Sequence, residues 1–213
     1  ALSSLSKAHE AINSGTFVDE IVPVTISSRK GNTVVDTDEA PGRGKPDKIP
    51  TLRPAFAKDG TITAATSSSI SDGAAAIVLT RQSVADENGQ SAVATIVATA
   101  AHAQEPSEFT IAPIGAINSV LEKAGWTTDD VELWEVNEAF ACVAMFAMRD
   151  IGIPHDKINI NGGGTALGHP IGASGTRIIV TLLNALKQQG KKRGIASLCI
   201  GGGEATAIAV ELA

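Results

Sequence analysis

The sequence contains no tyrosine and few other aromatic residues, five phenylalanines and two tryptophans among 213 residues. It also has only two cysteines and no basic run, and its formal net charge is −6. So few cysteines exclude a disulfide framework and indicate a reducing compartment, so we expect a cytoplasmic protein, or an organellar one if a targeting segment precedes Ala1. The acidic balance argues against a nucleic-acid or anionic-membrane partner. The longest apolar runs, about ten residues, are too short to cross a bilayer.

Small residues are abundant instead, with 21 glycines and many alanines in a composition that is 43% hydrophobic. A core of small and β-branched side chains lets backbones approach one another closely. The chain is long enough to bury such a core in one or two domains. The composition therefore indicates a globular protein.

The first 66 residues have the pattern of a peripheral region. Apolar residues at helical spacing predict a helix over 3–14, and alternation predicts strands over 21–27 and 34–35. Residues 37–60 are rich in proline, glycine, aspartate and lysine, which is typical of a loop.

From residue 93 onward, strand and helix patterns alternate in the order βαβαβαββ. The successive segments are 93–101, 114–124, 131–136, 138–152, 158–160, 172–189, 194–200 and 205–212. Three βα crossovers imply mainly parallel strands covered by helices, and the last two strands form an antiparallel hairpin. The predicted fold class is therefore α/β, with a mixed, mainly parallel sheet.

Three segments at predicted strand ends contain the residues that could carry chemistry. The first is Asn137-Glu138-Ala139-Phe140-Ala141, which follows the strand at 131–136. Ligands of α/β folds bind at the carboxyl ends of strands. Asparagine is also a preferred helix N-cap, so from spacing alone a purely structural role stays open.

The second segment is the glycine-rich turn at 161–175, which holds His169 between Gly168 and Pro170. It matches neither the dinucleotide-binding pattern nor the Walker pattern. Its glycines permit positive φ angles and close approach of a ligand, and the helix that follows favours negative charge at its start. His169 is thus a candidate functional residue, with a structural role open beside it.

The third segment is Cys199-Ile200-Gly201-Gly202-Gly203, at the end of an apolar strand. A free cysteine there is compatible with core packing as well as with chemistry. Three glycines are an unfavourable hairpin unless a ligand or another backbone passes close, and their N–H groups could form an oxyanion site. The other three histidines lack metal-ligand spacing, and no metal site is predicted.

Together the three segments resemble the thiolases, and among them the acetyl-CoA acetyltransferases of biosynthetic type. The resemblance rests on the motifs at 137–141, 161–177 and 199–203, in the order and spacing of that family. It extends towards the start of the chain through segments at 19–24, 52–56 and 71–76. It therefore covers essentially the whole chain.

A thiolase is about twice as long and has two similar βαβαβαββ halves, with a loop domain inserted in the first. The resemblance implies that residues 1–66 are the C-terminal part of the loop domain and that 67–92 are the last strand and helix of the N-terminal half. Residues 93–213 would be the C-terminal domain. The cysteine that carries the acyl group would then lie in the missing N-terminal half.

The resemblance also implies a reaction, the condensation of two acetyl-CoA to acetoacetyl-CoA and CoA, or the reverse thiolysis. CoA thioesters are its substrates, and no cofactor is implied. His169 matches the histidine that activates the nucleophile and then donates a hydrogen bond to the thioester oxygen. Cys199 matches the second cysteine, which exchanges protons with the acetyl methyl group and with leaving groups. Asn137 matches the residue that holds a water in one oxyanion hole, the Gly201 N–H matches a donor of the other, and Glu138 supports the network.

The positions implied for CoA binding belong to two groups, one for the pantetheine and adenine parts and one for the acyl end. The first group is Leu52, Ala55, Phe56, Ala64 and Ser68, and the second is Ala139 and Phe140. The family is usually dimeric or tetrameric, so we expect a homodimer or homotetramer of complete chains.

Two other functions stay open: a non-catalytic CoA-binding or assembly module of thiolase fold, and a thiolase for a different acyl-chain length, as in β-oxidation. A binding module needs none of His169, Cys199 and Asn137, and their presence disfavours it. Residues that determine acyl-chain length lie largely outside this sequence.

Overall fold

A computed structural model describes all 213 residues, which form a four-stranded sheet between helices and a peripheral region with a two-stranded hairpin. The helices are α1 (Leu2–Asn13), α2 (Glu39–Arg43), α3 (Gln82–Glu87), α4 (Ala112–Ala124), α5 (Ala141–Ile151), α6 (Gly164–Leu167) and α7 (Ser174–Gln188). The strands are β1 (Val24–Ser28), β2 (Gly31–Val35), β3 (Ala94–Ala103), β4 (Leu133–Val136), β5 (Arg193–Cys199) and β6 (Glu204–Leu212). Short 3-10 helices lie at Pro46–Thr51, Pro106–Glu108 and Thr128–Asp130.

The main sheet has the strand order β3-β6-β5-β4. Strand β6 is antiparallel to both β3 and β5, and β4 is parallel to β5. Three strands therefore share one direction, as predicted, and the predicted hairpin of β5 and β6 is present. Because β6 inserts between β3 and β5, however, two of the three pairings are antiparallel.

The predicted third strand, residues 158–160, is the main departure from the expected order of elements. Only Ile158 pairs with the sheet, through a single parallel bridge to Trp134. The next residue, Asn159, has a φ angle of 45° and turns the chain away, because a left-handed residue cannot continue a strand. The loop predicted for 37–60 also differs, since it contains α2 and a 3-10 helix.

Residues 67–92 were expected to contain a strand and a helix. The helix α3 forms, but residues 73–80 make no strand, and Val78 and Leu79 are 95% and 72% exposed. A strand needs partners for its N–H and C=O groups, and the four-stranded sheet does not extend to this segment. The apolar run is thus left uncovered in this chain.

The core lies on both faces of the sheet, as the α/β prediction requires. Alternating residues of β4 separate the two faces: Trp134 packs with α4 and α5, and Leu133 packs with α7. Helix α7 presents Ile178, Leu182 and Leu186 at a spacing of four residues, which places all three on the sheet side. Burial of each such side chain stabilises the fold by about 1.5–3 kcal/mol.

None of the helices combines the length and the apolar composition that a membrane crossing requires.

Candidate active site

The carboxyl ends of β4 and β5 bring two of the predicted site residues to one edge of the sheet. Asn137 directly follows β4, and Cys199 is the last residue of β5. The strands are paired in parallel, with Val136 opposite Ser197, and the Asn137 N–H donates to the Ser197 carbonyl over 2.9 Å. Asn137 and Cys199 therefore occupy adjacent strand ends, where α/β folds bind ligands.

His169 lies in the turn between α6 and α7 and is held from three directions. Its Nε2 is 3.4 Å from Asn137 Nδ2, its Nδ1 is 2.6 Å from Ser174 Oγ, and its backbone N–H donates to the Ser69 carbonyl over 2.9 Å. Partial burial lowers the pKa of His169, and the nearby Arg177 charge lowers it further. The imidazole is thus neutral near pH 7 and can accept a proton.

Cys199 is a buried thiol, 7% exposed. Burial raises its pKa to about 11, because the low-dielectric surroundings disfavour the thiolate, and the neighbouring Cys142 adds to the increase. The resting side chain therefore carries its proton. Cys142, on α5, is half-buried, and burial raises the pKa of its thiol as well.

Glu138 faces the glycine-rich turn rather than the strand ends. One carboxylate oxygen accepts hydrogen bonds from Ser4 Oγ over 2.8 Å and from Thr165 Oγ1 and N–H over 2.6 and 3.2 Å. The other accepts from Asn159 Nδ2 over 3.0 Å. Glu138 thus joins the end of β4 to α1 and to the turn, and it positions the site without facing it.

Gly162 and Gly163, in the glycine-rich turn at 161–175, are required by close contacts within the chain. Gly162 has a φ angle of +84°, and a Cβ there would lie 2.7 Å from the Ser4 carbonyl oxygen. A Cβ on Gly163 would lie 2.5 Å from the Glu138 carboxyl group, and the Gly163 N–H donates to Ser4 Oγ over 2.8 Å. At these two positions close approach of α1 and Glu138, rather than of a ligand, accounts for glycine.

Gly201 lies in the exposed turn between β5 and β6, two residues after Cys199. Its N–H donates to no backbone carbonyl, whereas the Gly203 N–H donates to the Ile200 carbonyl and so closes the turn. A free N–H two residues from the Cys199 thiol is a suitable hydrogen-bond donor for an oxyanion.

Four of the residues predicted to bind CoA form one layer beside Asn137. The rings of Phe56 and Phe140 meet edge to face with centroids 6.3 Å apart. Ser68 donates both its hydroxyl and its N–H to the Ala139 carbonyl, over 2.9 and 3.0 Å. The other three lie on the exposed loop that contains Phe56: Leu52, Ala55 and Ala64.

Sequence reasoning missed two residues that hold the site in place. Ser174 is fully buried and hydrogen-bonds to His169; its position five residues after the histidine, at the start of a predicted helix, was an available signal. Asn159 binds both the N–H and the carbonyl of Val136 through its side chain, over 2.8 Å each. Asparagine inside a predicted strand was the corresponding signal, because this residue tolerates positive φ.

A buried carboxyl group, Glu135, lies behind the site on β4 and is 2% exposed. Its nearest cation is Arg177, with Nη1 3.6 Å from Oε2. Burial raises the pKa of Glu135 to about 8; Arg177 opposes this increase, and the charges of Glu20 and Glu138 add to it. Between pH 4.5 and about 8, the folded chain therefore keeps a proton on the Glu135 carboxyl group that the unfolded chain releases.

Replacing Glu135 with glutamine is expected to remove a pH-dependent loss of stability. A carboxyl group whose pKa is raised on folding stabilises the fold less as pH rises from its unfolded to its folded value. The free energy of unfolding of the unchanged chain should therefore fall relative to Glu135→Gln between pH 4.5 and about 8. The relative slope should not exceed about 1.4 kcal/mol per pH unit. Urea unfolding across this range measures it, and parallel pH profiles for the two proteins would contradict the expectation.

Comparisons with known proteins agree with this geometry. Residues 90–212 match the family model "Thiolase, C-terminal domain", and residues 1–83 match "Thiolase, N-terminal domain". An acetyl-CoA acetyltransferase of Yarrowia lipolytica is 48% identical over 99% of this chain and 53% of its own length.

Solved structures give the same result. The chain superposes on the crystal structure of the Bacillus anthracis acetyl-CoA acetyltransferase with a TM-score of 0.96 and 41% identity, covering 100% of this chain and 54% of that one. A thiolase from Ascaris suum in complex with coenzyme A has a TM-score of 0.87 and 38% identity, covering 99% of this chain and 53% of that one. These matches confirm the α/β thiolase fold predicted from the motifs.

The chain spans about half the length of the relatives that it matches. Within that span the two family models together cover nearly every residue, and the strand-end and turn motifs have the predicted order. The chain belongs to the thiolase family.

Proposed function

We propose that this chain supplies the histidine, asparagine and second-cysteine part of an acetyl-CoA acetyltransferase active site. The reaction is the condensation of two acetyl-CoA to acetoacetyl-CoA and CoA, with thiolysis as its reverse. The observation that carries the proposal is the contact of His169 with Asn137 at the sheet edge where Cys199 ends β5. The names of the relatives support the acetyl group as the group transferred.

His169 acts first as a base in this proposal. Its neutral imidazole takes the proton of the acyl-accepting cysteine, which belongs to the part of a thiolase that this chain does not cover. The resulting thiolate attacks the thioester carbonyl of the first acetyl-CoA. The pKa of His169, lowered by burial and by Arg177, keeps the imidazole in the form that this step needs.

Cys199 carries out the later proton transfers in this proposal. With a pKa raised to about 11 by burial, its thiol is protonated at rest and can give its proton to the departing CoA thiolate. The Cys199 thiolate left behind is strongly basic, and it then takes a proton from the methyl group of the second acetyl-CoA. Such a carbon acid is weak, so a strong base and stabilisation of the enolate are both required.

Two groups of donors stabilise the negative charge that forms on thioester oxygens. Protonated His169 Nε2 and a water held by Asn137 serve one oxygen, and the free Gly201 N–H serves the other. Glu138 holds the turn that carries the histidine.

CoA thioesters are the proposed substrates, and they would be held by the layer of Phe56, Ser68, Ala139 and Phe140. Support comes from its position beside Asn137 and from the coenzyme A complex of the Ascaris suum relative. The proposal includes no cofactor and no metal, and it takes a homodimer or homotetramer as the working assembly.

The test is thiolysis of acetoacetyl-CoA by the full-length gene product and by the 213-residue chain alone. The full-length protein is expected to turn over and the shorter chain to be inactive, because the shorter chain lacks the acyl-accepting cysteine. Turnover by the shorter chain that Cys142→Ala abolishes would contradict the assignment of the nucleophile.

Two further results would favour the alternatives. Binding of CoA without turnover by the full-length protein would indicate a non-catalytic module. A strong preference for longer 3-ketoacyl-CoA substrates would indicate a thiolase of β-oxidation type.

A further inference from the structure

Ser174, the first residue of α7, is fully buried and touches the ring of His169. Its Oγ lies 2.6 Å from His169 Nδ1 and 3.0 Å from the Pro170 carbonyl oxygen. A serine hydroxyl carries one proton and can also accept hydrogen bonds. Because a carbonyl oxygen only accepts, the hydroxyl that binds Pro170 donates there, and Nδ1 must then donate its own proton to Ser174 Oγ.

The opposite side of the ring agrees with this assignment. Asn137 Nδ2 can only donate, and it lies 3.4 Å from His169 Nε2. A proton on Nε2 would set two donors against each other. The two contacts, one on each nitrogen, therefore select the same neutral form, with the proton on Nδ1 and a lone pair on Nε2.

The Ser174 side chain is itself held in place by the start of α7. The Ser174 N–H and the Ala173 N–H both donate to the Pro170 carbonyl, over 2.9 and 2.8 Å. The hydroxyl thus belongs to a tight turn that directly follows the histidine, and the ring cannot rotate without losing its partner.

We propose that Ser174 is a positioning residue that keeps the proton of His169 on Nδ1 and thereby leaves Nε2 with its lone pair, on the side of the ring that faces Asn137. This rests on the proposed function, in which Nε2 takes a thiol proton. After that transfer both ring nitrogens carry protons, and Nδ1–H stays bound to Ser174 while Nε2–H points to the thioester oxygen. The contact between Nδ1–H and Ser174 therefore stays the same when the ring acts as a base and when it acts as a hydrogen-bond donor.

The ring nitrogens of His169 can be observed directly in full-length protein labelled with ¹⁵N-histidine. The signal is identified by its loss in His169→Asn. We expect a protonated Nδ1 and a bare Nε2 in the unchanged protein, and a shift towards the Nε2–H form in Ser174→Ala, because the partner of one nitrogen decides which nitrogen is protonated. Thiolysis by Ser174→Ala should fall about tenfold in kcat/KM, the scale of one lost hydrogen bond.

Two variants separate positioning from general packing. Ser174→Thr keeps the hydroxyl and is expected to keep the Nδ1–H form. Thr181→Val removes another buried hydroxyl of α7, one that donates to Glu20 over 3.1 Å, and should change neither the tautomer nor kcat/KM. If Ser174→Thr does not fold, the comparison of the unchanged protein with Ser174→Ala still tests whether Ser174 determines the tautomer of His169.

The proposal is overturned if the unchanged protein holds the Nε2–H form, or if Ser174→Ala leaves the ring nitrogens as they were. The spectrum needs no turnover. Absence of thiolysis in the unchanged full-length protein would therefore refute the proposed function without deciding the role of Ser174.

Discussion

Replacing Cys199 with alanine in the full-length protein is expected to lower kcat for acetoacetyl-CoA thiolysis by about 100- to 10,000-fold, the range for removal of a general acid–base group. The physical reason is the burial that raises the pKa of this thiol to about 11. Steady-state thiolysis kinetics measure the effect.

A second readout separates chemistry from packing. In deuterated water the unchanged protein should exchange the methyl protons of acetyl-CoA for deuterium, because the Cys199 thiolate removes them, and Cys199→Ala should not. Mass spectrometry of recovered acetyl-CoA detects the exchange. Cys142→Ala is the matched control, since it removes the other free cysteine and should leave both readouts close to normal. Near-normal kinetics in Cys199→Ala would refute its role.

Replacing His169 with asparagine should lower kcat/KM for the same reaction by about 100- to 10,000-fold, because one ring supplies both a base and an oxyanion donor. His155→Asn, which removes an exposed histidine that hydrogen-bonds to Ser3 over 3.2 Å, is the control and should retain activity. A loss of less than about tenfold in His169→Asn would be too small for a general base, and the base would have to be sought elsewhere.

The pH dependence of the unchanged protein adds a check on the same residue. The pKa of His169 is lowered from 6.5 by burial and by Arg177, so the neutral base persists to lower pH than for an exposed histidine. The midpoint of the acid-side fall of kcat/KM should therefore lie below pH 6.5. A midpoint above that value would mean that a different group is being titrated.

Local patterns were sufficient to predict most elements and two of the site positions. Strand β4 is a mainly apolar segment followed by Asn137, and β5 is a mainly apolar segment that ends at Cys199, so both could be located from the order of residues alone. The parallel crossover between them then required that the two ends meet at one edge. Their chemical roles did not follow from spacing; they came from the family resemblance, and they stay predictions.

The remaining features depend on contacts between distant residues. Periodicity does not encode strand order, so the insertion of β6 between β3 and β5 could not be read from alternation. The run at 158–160 has strand-like composition, but the side chain of Asn159 replaces a strand partner at Val136. The apolar pattern at 73–80 likewise could not show that no partner strand is present.

The hydrogen bond from Gly163 N–H to Ser4 Oγ joins residues 159 positions apart in the chain. Contacts with such a long separation close a large loop, and the entropy lost in doing so delays their formation during folding. The turn that carries His169 should thus reach its native geometry only after α1 has docked, late in the folding sequence. A molecule in which α1 has transiently detached could keep its sheet and the apolar packing on both faces of the sheet and still have a misaligned imidazole.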